Sequence, residues 1–344
     1  MKLLITLAPG LEYGPHADII VVDWNSKQII DKFRYDHRFY KESHKGFAGA
    51  TIYDGRLIAS TEVELVQLDL APLRLHDSRS YDYFNDVHDV KVAHDRIWVC
   101  NSGLDCVEEF DLQLNYLKSH YLVRHYGRDR RYLTQLMMVD LKRSWGKVVG
   151  SYEYYSYLTQ GTRFRNVKKF FWPSGYRQSG RDLRYMDFRP HFLHPNHLQP
   201  VGNDIWVTLF STGQIVSLRE KKVLAENLGR PHDGIISNGR AYITDCKNRR
   251  VVIHEFNETT QTLGASLLDH QLPQQTCDGF VRGLAPFADR LFVGLTAKRG
   301  TPEPQRFARV ASLRPDTLEP TEQWQIPNEF GNAIFSILDV SQYY

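Results

Sequence analysis

"RPHDGIISNGRAYITD", residues 230–245, decides how this chain folds. It reads as a short strand, a tight turn on Asn238 and Gly239, and a second strand, the pattern of a β-hairpin. Yet His232 and Asp233 stand at its entrance, where valine and isoleucine would pack better.

The stretch has relatives along the chain. "GFAGATIYDGRLIAST" (46–61), "DVHDVKVAHDRIWVCN" (86–101), "PNHLQPVGNDIWVTL" (195–209) and "FVRGLAPFADRLFVGL" (280–295) each hold an alternating run, a turn on Asp, Asn or Gly, and a second alternating run. A further strand pair follows, as in "CVEEFDLQLNYLKSHYL" (106–122) and "RRVVIHEFNETTQTLGASLL" (249–268). Four strands per unit of about 40 residues is the arithmetic of a β-propeller blade. Five units begin near Gly46, Val87, Asn196, Pro231 and Gly279. A sixth assembles from both ends: "NAIFSILDV" (332–340) supplies an inner strand, and "KLLITLAP", "ADIIVVDW" and "KQIIDKFRY" supply the others. Closing the ring this way leaves no exposed edge. The expectation is an all-β, six-bladed propeller built from residues 1–124 and 191–344.

The composition agrees with a globular chain: 344 residues, 42% apolar, net charge +3. No stretch approaches the roughly 18 apolar residues of a membrane span, and "LITLAPG" is too brief for a signal peptide, so a soluble cytoplasmic protein is expected. Four cysteines do not make a disulfide framework; Cys100 and Cys106 flank one turn and could pair, although free thiols are the reading for a reducing compartment.

The spacing breaks once, between blades 3 and 4, where residues 125–190 intervene. Within them Leu133, Leu136, Met137 and Leu141 fall at helical intervals, so part of the insertion reads as an amphipathic helix. The insertion carries 14 Lys or Arg against 5 Asp or Glu; its +9 within a total of +3 leaves −6 for the remainder. It is also rich in aromatics, as in "YEYYSY" (152–157) and "FFW" (170–172). Because it joins an outermost strand to the next innermost strand, it emerges on the rim where inner strands begin, placed to act as a lid or a docking surface. The acidic remainder argues against a continuous track for nucleic acid.

Aligned on their second strands, the hairpins put Ala48, His88, His197, His232 and Arg282 at equivalent entry positions. Three consecutive blades offer histidine, and entry residues crowd toward the central channel. Converging neutral imidazoles are what a divalent transition metal such as Fe, Zn or Cu requires. His191 and His194 lie just ahead of His197 and could add a ligand, although a turn bounded by proline also accounts for them. Asp89 and Asp233 follow two of the histidines; strand alternation turns each away from its own imidazole, where it could orient a neighbouring blade's imidazole or make a turn or inter-blade hydrogen bond. Loops returning to the same rim supply Glu62, Asn101, Asp105, Asp245 and Lys298. Of these, Glu62 and Asp245 are candidate general bases, and Asn101 and Lys298 candidate substrate contacts. Arg282 has the planar fork that suits a carboxylate or phosphate. With the basic insertion it points to a small anionic substrate, and the aromatics suit an apolar portion of it.

"RPHDGIISNGRAYITDCKNRRVVIHEF", "DVHDVKVAHDRIWVCNSGLDCVEEFD" and "NHLQPVGNDIWVTLFSTGQIVSL" resemble repeat units of the NHL-repeat, streptogramin lyase and gluconolactonase-like propellers. The resemblance implies six blades. Streptogramin lyases and peptidyl-hydroxyglycine lyases set histidines and a divalent metal at the channel, which would carry over to His88, His197 and His232. Gluconolactonase-like members hold calcium there with Glu, Asn and Asp, a set these entry slots lack. The leading expectation is therefore a metal-dependent lyase or hydrolase, with an oxygenase possible if the metal is iron or copper. The rival is a non-catalytic propeller that binds a peptide or partner protein through its rim and basic flap.

Overall fold

The computed structural model describes residues 1–9, 16–39, 46–126, 182, 184, 192–272, 279–297 and 307–344. Its strands form six four-stranded antiparallel sheets. The first blade holds β1 (Lys2–Ala8), β2 (His16–Asp23) and β3 (Gln28–Asp36). The second holds β4 (Ala50–Tyr53), β5 (Arg56–Ser60), β6 (Glu64–Asp69) and β7 (Arg74–Ser80), and the third β8 (Val87–Ala93), β9 (Arg96–Asn101), β10 (Cys106–Phe110) and β11 (Tyr116–Tyr121). The fourth comprises β12 (Pro195–Val201), β13 (Asp204–Leu209), β14 (Gln214–Ser217) and β15 (Val223–Ala225). The fifth comprises β16 (Pro231–Ser237), β17 (Arg240–Asp245), β18 (Arg250–Asn257) and β19 (Thr262–Gln271). In the sixth are β20 (Phe280–Pro286), β21 (Leu291–Thr296), β22 (Arg309–Leu313) and β23 (Pro320–Gln325).

The last strand, β24 (Ala333–Asp339), is the innermost strand of the first blade and pairs with β1, Leu4 opposite Leu338 and Ile5 opposite Ile337. Each inner strand touches the next, and β20 touches β24, so the ring closes through strands from both ends of the chain, as the repeat pattern predicts. Cys100, Cys106 and Cys246 are buried free thiols. Burial pushes the Cys246 thiol up to about 12 and Cys100 well above its ordinary value, which keeps both protonated and unreactive. Among the described residues no helix is long and apolar enough to cross a membrane. The helix expected within 130–145 lies outside the described residues.

Each blade is sandwiched between two others, so both faces of its inner strands are buried, and alternation sorts side chains between two different cores. On β1, Leu3, Ile5 and Leu7 pack with Phe292 and Val310 of the sixth blade, whereas Leu4 packs with Phe47 and Leu57 of the second. The packing is tight near the hub. Gly49 donates its N–H to the His88 carbonyl at 2.8 Å, and a Cβ there would lie 2.1 Å from Asp89 Oδ1 and 2.4 Å from Asp89 Cα. Because the Cα cannot swing aside, Gly49→Ala is expected to destabilise the fold by about 3 kcal/mol, read as a lowered urea midpoint at unchanged slope.

Candidate metal centre at the channel mouth

The inner strands do not begin as regular strands. Their ladders slip register at the entry rim, between Val87 and Asp89, Pro195 and His197, Pro231 and Gly234, and Arg282 and Leu284, and opposite Thr6 and Leu7 on β24. These are β-bulges, which break alternation and re-aim side chains. In the fifth blade His232 and Asp233 together face Thr244, whose hydroxyl accepts both of their N–H groups at 3.3 and 2.9 Å. That is why the hairpin opens on polar residues: the bulge holds two side chains that need not enter a sheet face.

The bulges bring the entry residues to one hub. The His88 ring centroid lies 6.2 Å from that of His232 and 4.7 Å from that of His194, and Phe335 meets His232 edge-on at 5.7 Å. Ala48, expected in the equivalent slot of the second blade, packs with Phe335, Ala8 and Ala333. Arg282 places its guanidinium 4.8 Å from the Phe335 ring and 5.1 Å from that of Phe280, with its buried Nε lacking a hydrogen-bond partner. His88, His197 and His232 are 7%, 7% and 4% exposed, just reachable from the channel.

Three groups here offer ligand atoms within 4.8 Å of one another: Asp86, His88 and His194. Ligands about 2 Å from a shared ion stand roughly 3–4 Å apart, so small side-chain rotations would complete a site. The tautomer of His88 suits it. Its Nδ1–H donates to the Asp86 carbonyl at 2.9 Å, which leaves the lone pair on Nε2. His194 reaches the mouth because it bends the chain at φ 53 while Asp105 Oδ1 accepts its N–H at 2.8 Å. Burial, reinforced by the Arg282 charge, lowers the His232 pKa, so its ring is neutral and able to donate to a metal.

His197 is placed differently. Its Nδ1 stands 3.1 Å from Asp89 Oδ2, across the boundary between the third and fourth blades, while its buried Nε2 has no hydrogen-bond partner. Asp89, paired opposite Cys100 just past the bulge, therefore faces a neighbouring blade's imidazole. Asp233 departs from the expected alternation: its Oδ1 lies 3.6 Å from its own His232 Nδ1, because the bulge cancels alternation there, and its Oδ2 accepts Gly283 N–H at 3.1 Å.

Burial pushes the Asp89 carboxyl up, but Lys91 and His197 outweigh this and hold it at about 2. Its folded pKa lies below the unfolded one of about 3.9, so the stabilisation, roughly 2 kcal/mol, is complete above that value and is lost as pH falls toward 2. In urea titrations between pH 4 and 2, Lys91→Met is expected to lose stability at a higher pH than the wild type, because Asp89 then lacks its ammonium partner at 2.8 Å.

Two of the loop candidates, Asp245 and Asn101, are occupied locally. Asp245 accepts Arg230 N–H at 3.1 Å and the Asn248 amide at 2.6 Å, which ties the loop to the strand entry. Asn101 donates to the Tyr83 carbonyl at 2.9 Å and to Glu108 at 3.1 Å inside the third blade. Glu62 is 3% exposed, and its carbonyl accepts Val87 N–H. Lys298 lies outside the described residues. Sequence reasoning missed Asp86, two residues before His88, and Phe335, which fills the sixth entry slot. Aligning "NAIFSILDV" with the other inner strands would have found the phenylalanine.

No protein-family model and no curated protein matches the chain. Among solved structures it is similar to a protein of unknown function from Bacteroides caccae, 11% identical over 98% of this chain and 97% of that one, TM-score 0.54. It is also similar to a chain of a nidogen/laminin complex, 10% identical over 98% and 97%, TM-score 0.53. A virginiamycin B lyase from Staphylococcus aureus is 12% identical over 82% and 70%, TM-score 0.41. The likeness to the first two concerns the fold alone. The chain is a six-bladed β-propeller. Its entry rim carries an aspartate and two histidines close enough together to hold an ion.

Proposed function

We propose that the chain is a metal-dependent enzyme that holds iron, zinc or copper at the channel mouth and acts on a small anionic substrate. The observation that carries this reading is the approach of Asp86, His88 and His194 to within 4.8 Å at the hub, with His232 beside them. Of the ligands expected from sequence, His88 and His232 are retained, joined by His194 and Asp86; His197 is treated below. A bound divalent ion would supply Lewis acidity and a position for water or substrate, which suits a lyase or hydrolase step, or oxygenase chemistry with iron or copper. Arg282 would grip the anionic group of the substrate, while Phe335 and Phe280 hold its guanidinium flat and give the apolar portion a wall. Residues 125–190 would serve as the lid; Arg184 reaches Ser80 Oγ at 3.2 Å, at the end of β7 on the entry side.

Untagged protein reconstituted anaerobically with Fe(II), Zn(II) or Cu(II) is expected to retain near-stoichiometric metal by elemental analysis after desalting. Retention of none of the three would overturn the reading. Arg282→Met is expected to weaken binding of inorganic phosphate to the loaded protein about 10- to 100-fold by calorimetry, the worth of a charge-assisted pair.

A further inference from the structure

We propose that His197 is not a metal ligand but a general base, with Asp89 as the residue that positions it. The inference rests on the reading of the channel mouth as a catalytic site and assigns its proton acceptor.

The geometry is that of a carboxylate–imidazole dyad. Asp89 Oδ2 stands 3.1 Å from His197 Nδ1 and also accepts Leu198 N–H at 2.9 Å, while Oδ1 accepts Val90 N–H at 2.9 Å and Lys91 Nζ at 2.8 Å. Four donors hold one buried carboxylate in a single orientation, and an ionised carboxylate can only accept. His197 must therefore carry its proton on Nδ1, which leaves a lone pair on Nε2. That atom is buried and has no hydrogen-bond partner in a residue 7% exposed. A buried imidazole nitrogen without a partner is unfavourable unless something else meets it. His197 opens the inner strand of the fourth blade, between the third, which carries Asp89, and the fifth, which carries His232. A carboxylate-held imidazole can serve a metal or a proton transfer; the second role is assigned to His197 because the close group of ligand atoms, Asp86, His88 and His194, does not include it.

The step is a proton transfer. His197 Nε2 takes a proton from a C–H or O–H of the bound anion, and the electron pair of that bond stays on the substrate beside Arg282. The imidazolium that forms is balanced by Asp89, which remains ionised, and no redox partner is required.

Two measurements decide it. Long-range proton–nitrogen NMR of wild-type protein labelled with 15N-histidine, with His197 assigned through His197→Gln, is expected to show Nδ1 protonated and Nε2 bare. In parallel, His197→Gln is expected to retain as much metal as the wild type. Nε2 protonation, or loss of metal from His197→Gln, overturns the dyad. If that variant does not fold, the wild-type spectrum with and without Zn(II) decides alone: a coordination shift on the Asp89-linked ring would overturn the proposal, and an unchanged ring supports it. A wild type that takes up no metal sinks the metalloenzyme reading without moving the tautomer, so the two failures are distinguishable.

Discussion

His88→Ala is expected to lower metal affinity at least about 100-fold, while the variant unfolds in urea close to the wild-type midpoint. Changing a residue that merely orients a metal ligand weakens a site roughly 10- to 100-fold, and among the candidate ligands His88 is the one that approaches His194, His232 and Asp86. The fold should tolerate the change because alanine already fills the neighbouring entry slot: Ala48 is 4% exposed and well packed. Equilibrium loading with Zn(II) followed by elemental analysis checks affinity, and far-UV circular dichroism in urea checks the fold. Undiminished metal in the variant would move the centre away from this rim.

Asp89→Asn is expected to act in the opposite way, destabilising the protein by about 3–5 kcal/mol. Breaking a buried ion pair by removing one partner leaves the other charge without compensation. Here the Lys91 ammonium would stand beside a neutral amide, and the amide would have to serve the Leu198 and Val90 N–H groups as well as the His197 ring. Asp89 also joins the third blade to the fourth, so its loss weakens a contact between blades. Denaturant unfolding of Asp89→Asn, Lys91→Met and the double variant would show the coupling: the double variant should be less destabilised than the sum of the two, since it leaves no unpaired ammonium. Additive effects would mean that the pair contributes little.

Much of the architecture can be read locally. Turn residues such as Asn238–Gly239 and the two-residue alternation of the flanking runs mark each hairpin, because both depend on backbone geometry within a few residues. Blade count and ring closure follow from repeating that pattern, since a blade left with a free inner edge would be unsatisfied. The placement of His88, His197 and His232 on one rim was legible for the same reason. Asp245 shows the limit of such reasoning: a loop carboxylate reads as a base until its donors, Arg230 N–H and Asn248, are located.

The amino-acid sequence by itself determined the propeller, its six blades, its closure by both ends of the chain and the rim on which its histidines stand. Only the tertiary structure decided which imidazoles meet. Register slips at the strand entries turn His88 toward His194 and Asp86 and set His232 beside its own Asp233, and the third blade's Asp89 reaches His197 on the fourth. The physical reason is that strand alternation belongs to the chain, whereas a bulge and the partner it presents depend on the blade packed alongside.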